Sequence, residues 1–169
     1  MSPVSHDRGR GKPGTRKDIH ERALGLLAVR QRSRREIERR LGRAGFDSEE
    51  IRAELDRLGE VGLIDDEAFA RAVAEHSFTT RKEGRRVVAG RLRTAGIAQD
   101  IAEAVLDEVV GGEEERADAL AAAKAATLSA LQPDAAYRRL YGMLARRGYA
   151  PDVAGRAARR ALAVEAFED

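Results

Sequence analysis

Three short stretches constrain this chain more than anything else in it: LGRAGF from Leu41, LRTAGI from Leu92 and LARRGY from Leu144. Their glycines, Gly45, Gly96 and Gly148, stand 51 and 52 residues apart. Four residues before each glycine is Leu41, Leu92 or Leu144, and eight before is Ile37, Val88 or Leu140. An apolar pair at i, i+4 marks one face of a helix. An apolar residue directly after the glycine (Phe46, Ile97, Tyr149) fits a Schellman-type ending. One helix type therefore recurs three times in register, the signature of a repeat architecture in which each unit buries its apolar face against neighbours.

Start signals divide the rest. Ser33 with Glu36 reads as a capping box, and Asp47 with Glu50 as its acidic counterpart. Pro151 suits a first helical turn. The periodicity predicts three helices per repeat: about 18–30, 33–44 and 48–61; 66–79, 84–95 and 98–110; 113–128, 134–147 and 151–166. Strand signals are nearly absent. The fold class is all-α, three tandem three-helix repeats forming an elongated, curved array. Its expected domains are 18–64, 65–111 and 112–169, preceded by a basic, Gly/Pro-rich tail (1–17) expected to be disordered. Aromatic residues are 4% of the chain and Trp is absent, so the seams must be Leu, Val, Ile and Ala. The last helix offers only Ala154, Ala157, Ala158 and Ala161, a thin seam.

Composition narrows the chemistry. With no cysteine there is no disulfide, thiolate nucleophile or Cys-ligated metal. His6, His20 and His76 show no metal-ligand spacing. GRGKPG in the tail lacks the strand and the Gly-Lys-Ser/Thr order of a phosphate loop. Asp65, Asp66 and Glu67 read as helix-start acids, and His76 and Ser77 as surface or helix-end residues. Neither an enzyme nor a cofactor nor a metal is indicated. No apolar run approaches a membrane span and no secretory block opens the chain, so a cytoplasmic location is expected.

Charge follows the repeat. Residues 30–43 carry seven Arg against two Glu, net +5, and residues 81–93 again reach +5. Residues 47–67 and 100–118 each reach −7, while 138–147 hold four Arg and no acid. Arg35, Arg86 and Arg138 each lie two residues before the first core position of their helix. Arg40 and Arg91 are equivalent, with Met143 breaking that series. Arg43 matches Arg146, and Arg34, Arg39, Arg85 and Arg93 fill out the basic helices. Stacked modules would align these eleven arginines as a stripe suited to phosphate or an acidic protein surface. Only Tyr137 and Tyr141 are near enough to stack on bases, which argues against base-specific reading of a single strand.

The segment ALGLLAVRQRSRREIERRLGRAGFDSEEIRAELDRLGEVGLIDDEAFARAVAEH resembles the first half of the RecX family of regulatory proteins, through RQRSRREIERRL, GF with its acidic helix start, and LGEVGLIDDEAFA. RRVVAGRLRTAGI is similar to the family's second module and LYGMLARRGY to its third. The resemblance spans about residues 20–165. It implies three tandem three-helix repeats and a non-enzymatic regulator, expected to act as a monomer. It implies binding to RecA and to RecA–ssDNA filaments in the filament groove. It further implies inhibition of recombinase, ATPase and coprotease activity, modulating recombination and the SOS response. Phe69 stands where the family commonly has Tyr, and the Ala-rich third module and basic tail also depart from the pattern. The competing expectation is a helical-repeat protein that binds single- or double-stranded DNA independently of RecA.

Overall fold

The computed structural model describes residues 18–109 and 112–165, so the tail proposed for residues 1–17 lies outside the described residues. Nine α-helices follow in chain order: α1 (Ile19–Val29), α2 (Arg34–Arg43), α3 (Ser48–Glu60), α4 (Asp66–Thr79), α5 (Arg85–Ala95), α6 (Gln99–Val109), α7 (Glu113–Ala125), α8 (Pro133–Arg146) and α9 (Pro151–Glu165). The described residues contain no strand. The helix expected over 113–128 stops at Ala125, and its last turn tightens into a 3₁₀ turn, Ala126–Leu128.

The glycine-anchored ending repeats in atomic detail. The amides of Phe46, Ile97 and Tyr149 donate to the carbonyls of Leu41, Leu92 and Leu144 at 3.3, 3.1 and 3.2 Å. Gly45, Gly96 and Gly148 have φ of 83°, 79° and 90°, the left-handed conformation that closes such a turn and that residues with a Cβ avoid. The paired Leu and Ile/Val/Leu side chains of α2, α5 and α8 are all buried.

Three separate apolar clusters result, one per module. The first joins Ala23, Ile37, Leu41, Ile51, Leu55, Leu58 and Ile64; the second centres on Phe69, Phe78, Val88, Leu92 and Leu106. In the third, Ala117, Ala121 and Ala125 of α7 meet Ala154, Ala157, Ala158 and Ala161 of α9. The thin seam is thus matched by an equally thin partner, and small side chains let the two backbones close on one another. Arg160 pairs with Asp118 across the same two helices at 2.8 Å.

Two expectations need correction. Asp47 and Glu50 form the full reciprocal box, but Ser33 and Glu36 form half of one. Ser33 Oγ accepts from the Glu36 amide at 3.2 Å, while the Glu36 carboxylate turns to Arg30 at 3.1 Å. Ser77 is not a surface residue: it is 1% exposed, on the face of α4 that also carries Phe69 and Val73 at four-residue steps.

The modules join through the basic helices, end to end. Ser33 Oγ, at the start of α2, donates to the Ala95 carbonyl at the end of α5 at 2.6 Å. The amides of Gly84 and Arg86, at the start of α5, donate to the carbonyls of Arg147 and Gly148 at the end of α8, at 2.7 and 3.1 Å. Each joint thus satisfies orphan groups at two helix ends and sets opposite dipole ends face to face. An acid from the following module completes each one. Asp66 accepts from the Arg34 amide at 2.8 Å, and Glu113 from the Arg85 amide at 3.1 Å. The register glycines are the seats. A Cβ on Gly96 would lie 2.1 Å from Arg35 Cδ, and one on Gly148 would lie 2.6 Å from the Val87 amide nitrogen. Counted from its glycine, α8 begins four residues earlier than α2 or α5, one additional turn at its N-terminal end.

Candidate functional site

The three basic helices form a row in the order α8, α5, α2. At about 1.5 Å per residue their combined length is on the order of 50 Å. Of the eleven arginines singled out by sequence, the row separates two kinds.

Three are held by acids. Arg34 pairs with Asp56 at 2.5 Å and Arg85 with Asp107 at 2.7 Å. Both pairs span 22 residues and link the second helix of a module to its third, so they are the same contact made twice. Arg91 is clamped by both carboxylate oxygens of Glu83, at 2.7 and 3.0 Å. The other eight, Arg35, Arg39, Arg40, Arg43, Arg86, Arg93, Arg138 and Arg146, are exposed. None of them forms an ion pair with a described residue. Elsewhere Arg71 pairs with Glu67 and Glu108 and Arg156 with Glu114 and Asp152, while exposed Arg22, Arg52 and Arg159 form no ion pair with a described residue. The basic helices hold most of the exposed arginines that no described acid pairs with.

Arg35 has two parts. Its aliphatic stem covers Gly96, while the residue as a whole remains exposed. A long cationic side chain can bury its stem and keep its head in water.

Two further arginines, Arg30 and Arg81, precede α2 and α5 and were outside the predicted stripe. Both sit fifteen residues before their glycine, so the register held the signal; the third module has Pro133 there. Tyr137 and Tyr141 stack with ring centroids 6.1 Å apart, partly covered against the third cluster, which ties them to packing. Among the described residues no three His, Asp or Glu side chains are placed to hold a metal ion, and no helix is long and apolar enough to cross a membrane.

The family profiles follow the same division. "RecX, first three-helix domain" matches residues 20–58, the second domain matches 65–106 and the third 112–157. The chain belongs to the RecX family. Among its RecX relatives, "Regulatory protein RecX" of Mycobacterium avium is 36% identical over 156 residues, covering 91% of this chain and 90% of that one. The Streptomyces coelicolor RecX is 40% identical over 145 residues, covering 84% and 76%. The crystal structure of RecX from Lactobacillus salivarius superposes with a TM-score of 0.76 at 22% identity, covering 85% of this chain and 94% of that one. The three tandem three-helix units are thus the RecX fold, and the relatives carrying it are named as regulatory proteins.

Proposed function

We propose that this protein regulates RecA, binding RecA and its filament on single-stranded DNA and restraining recombinase, ATPase and coprotease activity. The observation that carries this reading, together with family membership, is the row of three helices joined end to end, carrying eight exposed arginines that no acid among the described residues neutralises. A periodic basic edge suits a partner that is itself long and periodic. Arg35, Arg39, Arg40, Arg43, Arg86, Arg93, Arg138 and Arg146 are the contact residues in this proposal. Arg34, Arg85 and Arg91 support the helices that carry them.

The test is ATP hydrolysis by RecA on single-stranded DNA with added protein. Hydrolysis should fall with the wild-type chain. It should fall much less with Arg86→Glu plus Arg138→Glu, whose side chains are exposed and pair with no described acid. Undiminished hydrolysis at several-fold molar excess of wild type, at low and at physiological salt, would overturn the proposal. The same unmatched arginines favour direct DNA binding as the second reading, which requires a steep loss of affinity for naked DNA with salt. A gel shift without binding at about 50 mM salt removes it.

A further inference from the structure

Where the first and second modules meet, α2, α4 and α5 leave a groove of about 640 Å³, continuous with a recess of about 300 Å³. The two share Arg30, Phe69, Val73, Arg81 and Arg91. Arg39 stands on the rim from the first module and Arg81 from the second. Glu36 and Glu83 are already engaged by Arg30 and Arg91. Arg39 and Arg81 therefore contribute two unmatched positive charges. The floor is apolar, formed by Phe69 and Val73.

Two features of the groove have no packing reason. Ser77 lines the recess, is 1% exposed, and its Oγ has no hydrogen-bond partner. An orphaned buried hydroxyl costs on the order of 1–3 kcal/mol unless something fills the place of its partner. Gly90 lies inside α5 on the groove wall, and a Cβ there would meet nothing nearer than an Arg93 terminus at 3.9 Å. Alanine would fit and would favour the helix, by up to about 1 kcal/mol. The glycine instead keeps the wall flat.

From these we infer that the groove is a docking site for an acidic peptide segment of a partner protein, one carrying an aliphatic or aromatic side chain between its carboxylates. Charge complementarity selects an anion. The apolar floor then selects among anions. A phosphodiester strand gains nothing from it, and Phe69, at 6% exposure, offers no ring face for a base to stack on. A peptide uses both parts: its carboxylates meet the free arginines, and its apolar side chain rests on the floor at half-buried Val73. Arg39 is shared with the proposed RecA surface, whereas Arg86 and Arg138 lie outside the groove, so separate variants test the two readings.

The probe is a fluorescein-labelled peptide of about a dozen residues alternating Asp or Glu with Leu, titrated by anisotropy against the full chain near physiological salt. Saturable binding is expected. It should weaken about tenfold or more in Arg39→Glu plus Arg81→Glu, in Gly90→Leu, and when the peptide's Leu are replaced by Ser. Gly90→Leu is the decisive variant: it fills the groove without changing charge, and leucine is a good helix former. Wild-type affinity in a folded Gly90→Leu would overturn the inference. So would absence of saturable binding, or an equal loss from Arg138→Glu plus Arg146→Glu on α8. Displacement of the peptide by an equimolar oligothymidylate would assign the groove to nucleic acid instead.

Discussion

Replacing Gly84 by alanine adds one methyl group at a position whose φ of −88° any residue can adopt. Its effect must therefore come from what the methyl meets. The new Cβ would stand 2.4 Å from the Gly148 carbonyl carbon, 2.4 Å from the Tyr149 nitrogen and 2.5 Å from the Gly148 oxygen. All three are backbone atoms, which cannot swing aside as a side chain can. Restoring ordinary contact means parting α5 from the end of α8 by roughly 1 Å. That stretches the bonds from the Gly84 and Arg86 amides to Arg147 and Gly148, now 2.7 and 3.1 Å. Two weakened hydrogen bonds at about 1 kcal/mol each, with about 1–2 kcal/mol of overpacking, give a cost of about 3–4 kcal/mol. The same substitution at Gly59, inside α3 with nothing within 4 Å of the new Cβ, should instead stabilise by about 0.5–1 kcal/mol. Urea denaturation followed by circular dichroism reads both signs. Amide exchange should locate the loss at Gly84 and Arg86 and spare α1 to α3. A Gly84→Ala midpoint at or above wild type would refute the close backbone docking of the second and third modules.

Further outcomes follow from single contacts. Leu41→Ala, at a side chain with no exposure, should cost about 2–5 kcal/mol in thermal or urea unfolding. Tyr149→Phe removes the hydroxyl that donates to the Lys82 carbonyl at 3.1 Å and should cost about 0.5–1.5 kcal/mol; burial pushes that phenol's pKa up, so it remains a donor across the neutral range. Burial alone would raise the Glu54 carboxyl, but hydrogen bonds from His20 and Arg57 outweigh it and hold the carboxyl below its ordinary value. A depressed carboxylate stabilises fully above its unfolded pKa of about 4.3, and that stability drains away as pH falls through the lower folded value. Urea midpoints measured below pH 5 should therefore decline more steeply in wild type than in Glu54→Gln.

Helix ends and buried faces were legible because their causes are local. The glycine, the leucine four before it and the apolar residue after it lie within one turn, and the three copies reinforced one another. The joints were not legible, since Ser33 meets Ala95 and Gly84 meets Arg147 over separations of more than sixty residues that no periodicity encodes. The arginine stripe fell between these cases. Register identified the helices, but the acids that tie down Arg34 and Arg85 come from other helices. The repeat did contain a clue, as Asp56 and Asp107 both fall eleven residues after a register glycine. Ser77, read from sequence as a surface or helix-end residue, shows the limit of local reading, although its four-residue spacing from Val73 and Phe69 puts it on the buried face.

The additional turn at the start of α8 decides where the row ends. A joint in which the carbonyl end of one unit plugs the amide end of another is a heterologous interface, and such interfaces propagate without limit unless something stops them. On α8 the amides that correspond to those of α2 and α5 are used internally: the Ala136 amide donates to the Gln132 carbonyl at 3.0 Å. Pro133, the first residue of that turn, has no amide hydrogen to offer at all. The third module can thus plug into the second, but its own socket is filled by its own backbone. One turn of helix thus withdraws from α8 the amide socket that α2 and α5 present.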